Sequence, residues 1–215
     1  MEKVIGPEIM GLPFEVFMLM ASGVFYLLCA WYVWKPLRAE KSELIGALFA
    51  FLVYQAINMF FMGVEMGTKN IIYSNIAALA VFVGSAYMLK FPLSPFSRGV
   101  RRALFYGYLL VVLILFTWFM QTTERQMELM KFTLYYDLVI NGVIVGGFMI
   151  LLAIQTTERW LRIKATGGGV GVLSCCIAAN TSMLLGAMVS SLVFGFLAPV
   201  FILGSLVIAK KGQRK

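Results

Sequence analysis

The chain has 215 residues, 61% of them hydrophobic and only 13% charged, with a formal net charge of +8. Because soluble domains usually contain about 25% charged residues, this composition excludes a soluble globular protein. It predicts a single all-α integral membrane domain over residues 1–215. Histidine is absent, which excludes His-ligated haem, His-containing zinc or copper sites, and Ser-His or Cys-His catalytic pairs.

Hydropathy predicts a bundle of seven transmembrane helices, each near the roughly 20 residues that cross the hydrocarbon core. In chain order the predicted spans are residues 14–34, 44–64, 71–89, 103–120, 132–154, 169–187 and 190–209. The last two come from one uncharged stretch between Ala165 and Ala209, which is too long for a single span. We therefore expect a tight hairpin near Ser190 and Ser191.

Lysine and arginine are unevenly divided between the two sides that seven spans create. One side carries 14 of the 18 basic residues, and the other carries only Lys3, Lys69, Arg125 and Lys131. The positive-inside rule therefore predicts a cell-membrane protein with its N-terminus outside and its C-terminus in the cytoplasm. Basic residues at helix ends face anionic lipid headgroups, so the net charge predicts a bilayer partner and no nucleic acid. A homo-oligomer and an assembly with other membrane subunits both stay open.

Asp137, the only aspartate of the chain, is the strongest functional candidate because it lies inside the fifth predicted span. Ionisable side chains within a span are costly and are commonly functional. Asn141 follows four residues later, on the same helix face. One interpretation is a cation or proton site made by both side chains. The other is an interhelical hydrogen bond that fixes packing, with Asp137 about a turn and a half from the outer helix end and still hydrated.

A second polar stripe follows one face of the second predicted span and its outer continuation. Its members are Gln55, Asn58, Met62 and Glu65. Unpaired amides in hydrocarbon are costly, so this stripe is predicted to face other helices or water. Glu65 and Glu15 are predicted near the outer surface with Asp137, where three carboxylates form an electronegative mouth that concentrates cations. Alternatively, the two glutamates simply lie at headgroup level.

Small residues predict where helices approach each other closely. Gly142 and Gly146 form a GxxxG pattern in the fifth span, and Gly186 and Ser190 form a second small-residue face. The cysteines Cys29, Cys175 and Cys176 fall in apolar segments and are expected to be small buried side chains. The run Gly167–Gly169 lacks the lysine of a phosphate-binding loop and is interpreted as a flexible cytoplasmic hinge.

The methionines raise the question of a metal site. Met59, Met62 and Met66 recur on one helical face, and thioether ligands select Cu(I). Methionine is also a common filler of apolar cores, so a copper site is a speculative alternative only. No metal or other cofactor is predicted. The aromatic segments leave a hydrophobic ligand such as a quinone or lipid open.

These features favour a small multi-pass transporter or channel for a cation or a small polar solute. The residues predicted to line its path are Asp137, Asn141, Gln55, Asn58, Glu65 and Glu15. The alternative is a non-catalytic accessory or scaffold subunit of a larger membrane complex, since the spans contain few polar groups and no cofactor ligands. A seven-helix sensor and a lipid-modifying enzyme are less favoured, because no soluble output domain and no catalytic constellation are apparent.

Overall fold

The computed structural model describes residues 8–9, 11–185 and 188–212, except for the side chains of residues 8, 36, 39–40, 130, 178–185, 188–192, 194 and 210–212. The described chain opens with a short hairpin, in which β1 (Glu8–Ile9) pairs antiparallel with β2 (Leu12–Pro13). Gly11 lies in the turn between the strands with a φ of 76°, a conformation that glycine adopts without strain.

Helices make up nearly all of the remaining described chain. They are α1 (Phe14–Glu40), α2 (Glu43–Thr68), α3 (Ile71–Met88), α4 (Arg98–Phe119), α5 (Thr123–Asp137), a π-helical segment (Leu138–Gly146), α6 (Gly147–Gln155), α7 (Arg159–Leu185) and α8 (Met188–Gly212). The elements α5, π segment and α6 follow one another without a break. They form one continuous helix of 33 residues, which we call the long helix. Each predicted span overlaps one of the resulting helices.

Five helical segments are long and apolar enough to cross a membrane. They are Phe14–Lys35 in α1, then α2, α3, α4 and the long helix. In α8 the apolar stretch found among the residues with described side chains is Gly195–Ala209. Over the described residues the chain is thus a helical protein with several candidate membrane spans. This agrees with the predicted all-α membrane class at that level, with five segments meeting the length and composition criteria where seven were predicted.

Two-residue connections turn the chain sharply between the first three helices. Lys41 and Lys69 end α1 and α2 in the left-handed conformation, with φ angles of 50° and 54°. The residue after each lysine then caps the next helix: the Ser42 hydroxyl accepts from a backbone N–H of α2, and the Asn70 side chain accepts from one of α3. Both reversals are therefore built into the local sequence.

Several helix boundaries differ from the predicted ones; α7, for example, begins at Arg159 rather than near residue 169. The long helix begins at Thr123 rather than near residue 132, because the Thr122 side chain caps it and its polar first turns stay helical. Asp137 ends the 15 residues of α5, so it lies about four turns from the helix start. The reversal before α8 also falls earlier than predicted, since α8 begins at Met188 and contains Ser190 and Ser191. Gly186 and the side chain of Ser190 lie outside the described residues.

Most helices pack against their neighbours in the chain. Contacts join α1 with α2, α2 with α3, and α7 with α8, and α1 also contacts α8. The π segment packs against α7 and α3. Within the described residues the backbone of α4 approaches only α3 and α5, and its Arg101 side chain forms an ion pair with Glu43 of α2, so α4 lies at the edge of the bundle.

Two apolar clusters form the core. The larger one, to which α1, α2, α3, the long helix, α7 and α8 contribute, includes Tyr26, Phe51, Leu52, Val145 and Val172. The smaller one lies between α3, α4 and α5 and consists of Ala78, Phe82, Val112, Phe119 and Leu129. Tyr136 packs against the smaller cluster and Leu138 against the larger. Asp137, between them in the chain, therefore lies where the two clusters meet.

Glycine residues allow α7 and α8 to approach closely. A Cβ atom built on Gly171 would lie 2.6 Å from Cγ1 of Ile202 and 2.8 Å from the carbonyl oxygen of Ala198. A Cβ atom on Gly167 would overlap the Ser205 side chain. At this helix separation no larger residue fits at either position without displacement of α8.

The predicted hinge at Gly167–Gly169 is wrong. All three glycines lie inside α7, and each faces a packed neighbour. Gly168 lies against Met149 and Gly169 against Ile150, both from α6. Because glycine has no side chain, this run lets both α6 and α8 pack closely against α7. The sequence alone does not reveal this role, since it depends on which helices are neighbours.

Candidate functional site

Asp137 and Asn141 form a hydrogen-bonded pair inside the bundle. They are 6% and 1% exposed, respectively. The Asn141 amide nitrogen donates to Oδ1 of Asp137 at 2.6 Å and to Oγ of Ser85 at 2.7 Å. The Ser85 hydroxyl in turn donates to the Val81 carbonyl of its own helix at 2.7 Å. The pair is thus joined to α3 through a buried serine.

The helix changes its hydrogen-bonding pattern directly after Asp137. The π segment runs from Leu138 to Gly146, and its buried residues are Asn141, Gly142, Val145 and Gly146. A π-helical turn is wider than an α-helical one and occurs frequently at functional sites. Here it lies between Asp137 and the ordinary α-helix that resumes at Gly147. The buried face of this wider segment carries the Asn141 amide.

Close packing of α7 brings thiol groups to the same place. A Cβ atom on Gly142 would lie 3.3 Å from Cβ of Cys176, and one on Gly146 would lie 3.1 Å from Cγ of Leu173. The Cys176 thiol donates to the backbone carbonyl of Asp137 at 3.4 Å and lies within hydrogen-bonding reach of its carboxyl group. The GxxxG glycines therefore face α7, and their small size sets the position of Cys176.

Two buried tyrosine hydroxyls complete this arrangement. Tyr26 of α1 is fully buried, and its hydroxyl lies close to the Cys175 thiol and within electrostatic range of Asp137. The Tyr136 hydroxyl lies near Ser85 and Asp137. Among the described residues neither hydroxyl meets hydrogen-bond geometry with a partner, and neither does Oδ1 of Asn141. We call the residues Tyr26, Ser85, Tyr136, Asp137, Asn141, Cys175 and Cys176 the Asp137 cluster.

The carboxyl group of Asp137 has hydrogen-bond donors around it but no basic partner in the part of the chain that the structure describes. The ion pairs found there join Glu43 to Lys90, at 3.6 Å, and to Arg101, at 3.4 Å. A buried carboxylate without a cation is costly in an apolar environment. This site therefore favours the binding of a positive charge.

The polar stripe of α2 lies apart from the Asp137 cluster. Gln55 is 2% exposed, and its side-chain oxygen accepts a hydrogen bond from the Asn58 amide at 3.3 Å. α2 packs against α1 and α3 and has no contact with the π segment in the described chain. The two amides thus bond to each other.

The three carboxylates predicted to share an outer mouth are not brought together. Glu15 lies in the first turn of α1 and Glu65 in the last turns of α2, and both are partly exposed. Tyr26, which lies near Asp137, comes 11 residues after Glu15 on α1, a distance of roughly 16 Å along the helix axis. Asp137 is therefore too deep in the bundle to join these glutamates at a surface.

The methionine face of α2 is partly buried at Met59, Met62 and Met66. Met59 packs against the larger apolar cluster, which is the filling role common for this flexible side chain. Over the described residues no group of three or more His, Cys, Asp or Glu side chains is arranged to hold a metal ion. The cysteines Cys29, Cys175 and Cys176 are buried, as their apolar surroundings in the sequence predict, and none of them is in a disulfide in the described chain.

Five members of the cluster lay beyond the sequence-based prediction: Tyr26, Ser85, Tyr136, Cys175 and Cys176 were not proposed as site residues. Each comes from an apolar segment in which a hydroxyl or thiol commonly bonds to its own backbone. Only the packing of α1, α3 and α7 around the long helix shows that they meet.

No protein-family model, curated protein sequence or solved structure shows a significant match to this chain. Its function is therefore argued from the geometry of the Asp137 cluster.

Proposed function

We propose that this chain is a small multi-pass transporter or channel of the cell membrane that moves a cation, with Asp137 as the binding group. The observation that supports it is a carboxyl group buried among four helical elements with no basic partner among the described residues. An aspartate at the centre of a membrane helix costs about 2.5–3.5 kcal/mol on insertion scales. Such a residue is retained where its charge has a use.

A purely structural role would not need the charge. Asn141 and Ser85 supply the hydrogen bonds that join the long helix to α3. An asparagine at position 137 would keep an oxygen to accept from Asn141, and it would keep the size of the side chain. The substitution Asp137→Asn therefore separates packing from ion binding.

The experiment compares purified wild-type protein with Asp137→Asn in liposomes, measuring uptake of protons, Na⁺ and K⁺ with entrapped dyes. We expect Asp137→Asn to reduce cation uptake to that of protein-free liposomes, at unchanged yield and monodispersity. The matched control is Thr133→Val, one turn earlier on the same helix. Thr133 is 5% exposed, and in the described chain its hydroxyl donates to the Leu129 carbonyl of the same helix, so uptake should persist.

Equal uptake by wild type and Asp137→Asn, above the background of empty liposomes, would contradict the proposal. If wild type itself shows no uptake of any of these cations, the alternative of a non-catalytic scaffold subunit gains support. Purification of the intact chain from its own membrane with stoichiometric partner subunits would then be the decisive result for that alternative.

For topology we propose seven spans, with the N-terminus outside and the C-terminus in the cytoplasm. The support is the ion-paired group of Glu43, Lys90 and Arg101, which gathers residues from the predicted cytoplasmic connections at one end of the bundle. Reporter fusions test this arrangement. A fluorescent protein that folds only in the cytoplasm should be bright when fused after Lys215 and dark when inserted between Thr122 and Thr123. The reverse pattern would contradict the orientation, and equal brightness at both sites would contradict an odd number of spans between them.

A further inference from the structure

The Asn141 side chain has an unusual division of partners. Its amide nitrogen donates to both Asp137 and Ser85, whereas its carbonyl oxygen has no donor among the described residues. Because the side chain is 1% exposed, water does not readily compensate that oxygen. A buried amide that uses only its nitrogen is suited to one charge state of its neighbour, namely an ionised carboxylate that accepts.

Rotation of the same amide by 180° suits the other charge state. The Asn141 oxygen would then face Oδ1 of Asp137 and Oγ of Ser85. A protonated Asp137 donates its O–H to that oxygen, and the Ser85 hydroxyl turns from the Val81 carbonyl to the same acceptor. The amide nitrogen and oxygen of Asn141 exchange places, the other heavy atoms of the site keep their positions, and the hydrogen bonds reverse. The arrangement accommodates both the carboxylate and the carboxylic acid.

The groups around Asp137 are less suited to ligating a metal ion than to binding a proton. Hard metal ions require several oxygen ligands directed at one point, six or more for Mg²⁺ and Ca²⁺. Here an amide nitrogen faces the carboxylate at 2.6 Å and a thiol lies beside it. Hydrogen-bond donors around a single carboxyl group suit a site whose ligand is itself a hydrogen ion.

The titratable groups that face Asp137 are few. They are Tyr26 from α1, Tyr136 from the long helix, and Cys175 and Cys176 from α7. The side chain that α3 contributes is Ser85, which does not titrate. No lysine or arginine pairs with Asp137 in the described chain. Its carboxyl group is therefore the acid of the cluster, and the two phenol hydroxyls have hydrogen-bonding capacity to spare.

We infer that the cation bound by Asp137 is a proton, and that the Asn141 amide reverses its orientation as the carboxyl group gains or loses it. This inference rests on the proposed function and names its substrate. In the binding step the carboxylate of Asp137 gains one proton and forms one O–H bond, and no electrons are transferred. Asn141 and Ser85 are positioning residues that keep both forms hydrogen-bonded.

Infrared difference spectroscopy between acidic and alkaline buffers tests the inference on the purified full chain. We expect a C=O stretching band of a buried carboxylic acid in wild type, lost in Asp137→Asn and retained in the surface control Glu65→Gln. Adding Na⁺ or K⁺ at constant pH should leave the band unchanged. Asn141→Leu should move the band to higher frequency, because the acid loses its amide acceptor.

A band that Na⁺ or K⁺ removes at constant pH would overturn the inference and assign the site to a metal cation. The absence of any Asp137-dependent band across the pH range would also overturn it. The proposed function fails separately. If the band behaves as expected while Asp137→Asn leaves proton uptake unchanged, Asp137 binds a proton that the protein does not transport. If Asp137→Asn abolishes Na⁺ uptake alone, transport stands and the proton assignment fails.

Discussion

Asp137 and Asn141 show what a single sequence reveals at the scale of the residue. Both were predicted as a pair because a spacing of four residues places side chains on one helix face, and the structure joins them at 2.6 Å. The residues that surround this pair could not be predicted from the sequence. Tyr26, Ser85 and Cys176 come from three other helices, and no local pattern distinguishes them from ordinary residues of an apolar span.

Ser85 provides the clearest stability test at this scale. Replacing it with alanine removes an acceptor of the Asn141 amide and leaves a buried N–H without its partner. Interhelical hydrogen bonds in membranes are worth roughly 1 kcal/mol, so Ser85→Ala should lower the unfolding free energy by about that amount. The measurement is equilibrium unfolding in detergent.

Ser205→Ala is the control for that test. Ser205 is also buried, but its hydroxyl donates to the Ile202 carbonyl of its own helix. Loss of such a local bond costs little, so this variant should unfold like wild type. An equal loss of stability in both variants would mean that the bond between Asn141 and Ser85 contributes no more to stability than a bond within one helix.

For the individual helices, the apolar stretches of the sequence predicted the position of each helix well and its ends poorly. A hydrophobic window marks the part of a helix that resides in lipid and says nothing of polar turns beyond it. The long helix illustrates this, since Thr122 caps it and it begins at Thr123, nine residues before the predicted span begins at residue 132. Asp137 therefore lies about four turns from the helix start, where a turn and a half from the end of the span was predicted.

The contact between α7 and α8 depends on glycine and gives a prediction of its own. Gly171→Ala places a methyl group against the Ile202 side chain and the Ala198 backbone. Overpacking of this kind typically costs about 1–3 kcal/mol, so we expect a lower midpoint in thermal unfolding.

Gly147→Ala is the matched control for this prediction. Gly147 begins α6, and no atom lies within 4 Å of a Cβ built on it. Alanine favours a helix over glycine by up to about 1 kcal/mol, so this variant should be as stable as wild type or slightly more so. If Gly171→Ala also unfolds like wild type, α7 and α8 are not packed as closely as the structure shows.

At the scale of the whole molecule, the sequence predicted the class of protein and left the arrangement of its helices open. Composition and hydropathy require burial in lipid. They do not say which helices touch, because most spans are apolar on every side. The Asp137 cluster exists because α3 and α7 pack against the π segment and Tyr26 of α1 lies near Asp137, and the close approach of α7 depends on small residues such as Gly142. The role of Gly142 in this packing becomes apparent only when the position of α7 is known.

The position of α4 has a consequence for how this protein changes over evolutionary time. Its outward positions, among them Leu110, Leu113 and Ile114, are exposed in the described chain. Where such a position faces lipid, one apolar residue serves as well as another. Gly171 and Asn141 each contact several packed neighbours, so few other residues fit at these positions. Among descendants of this gene, α4 should therefore accumulate conservative replacements fastest while the lining of the Asp137 cluster stays constant.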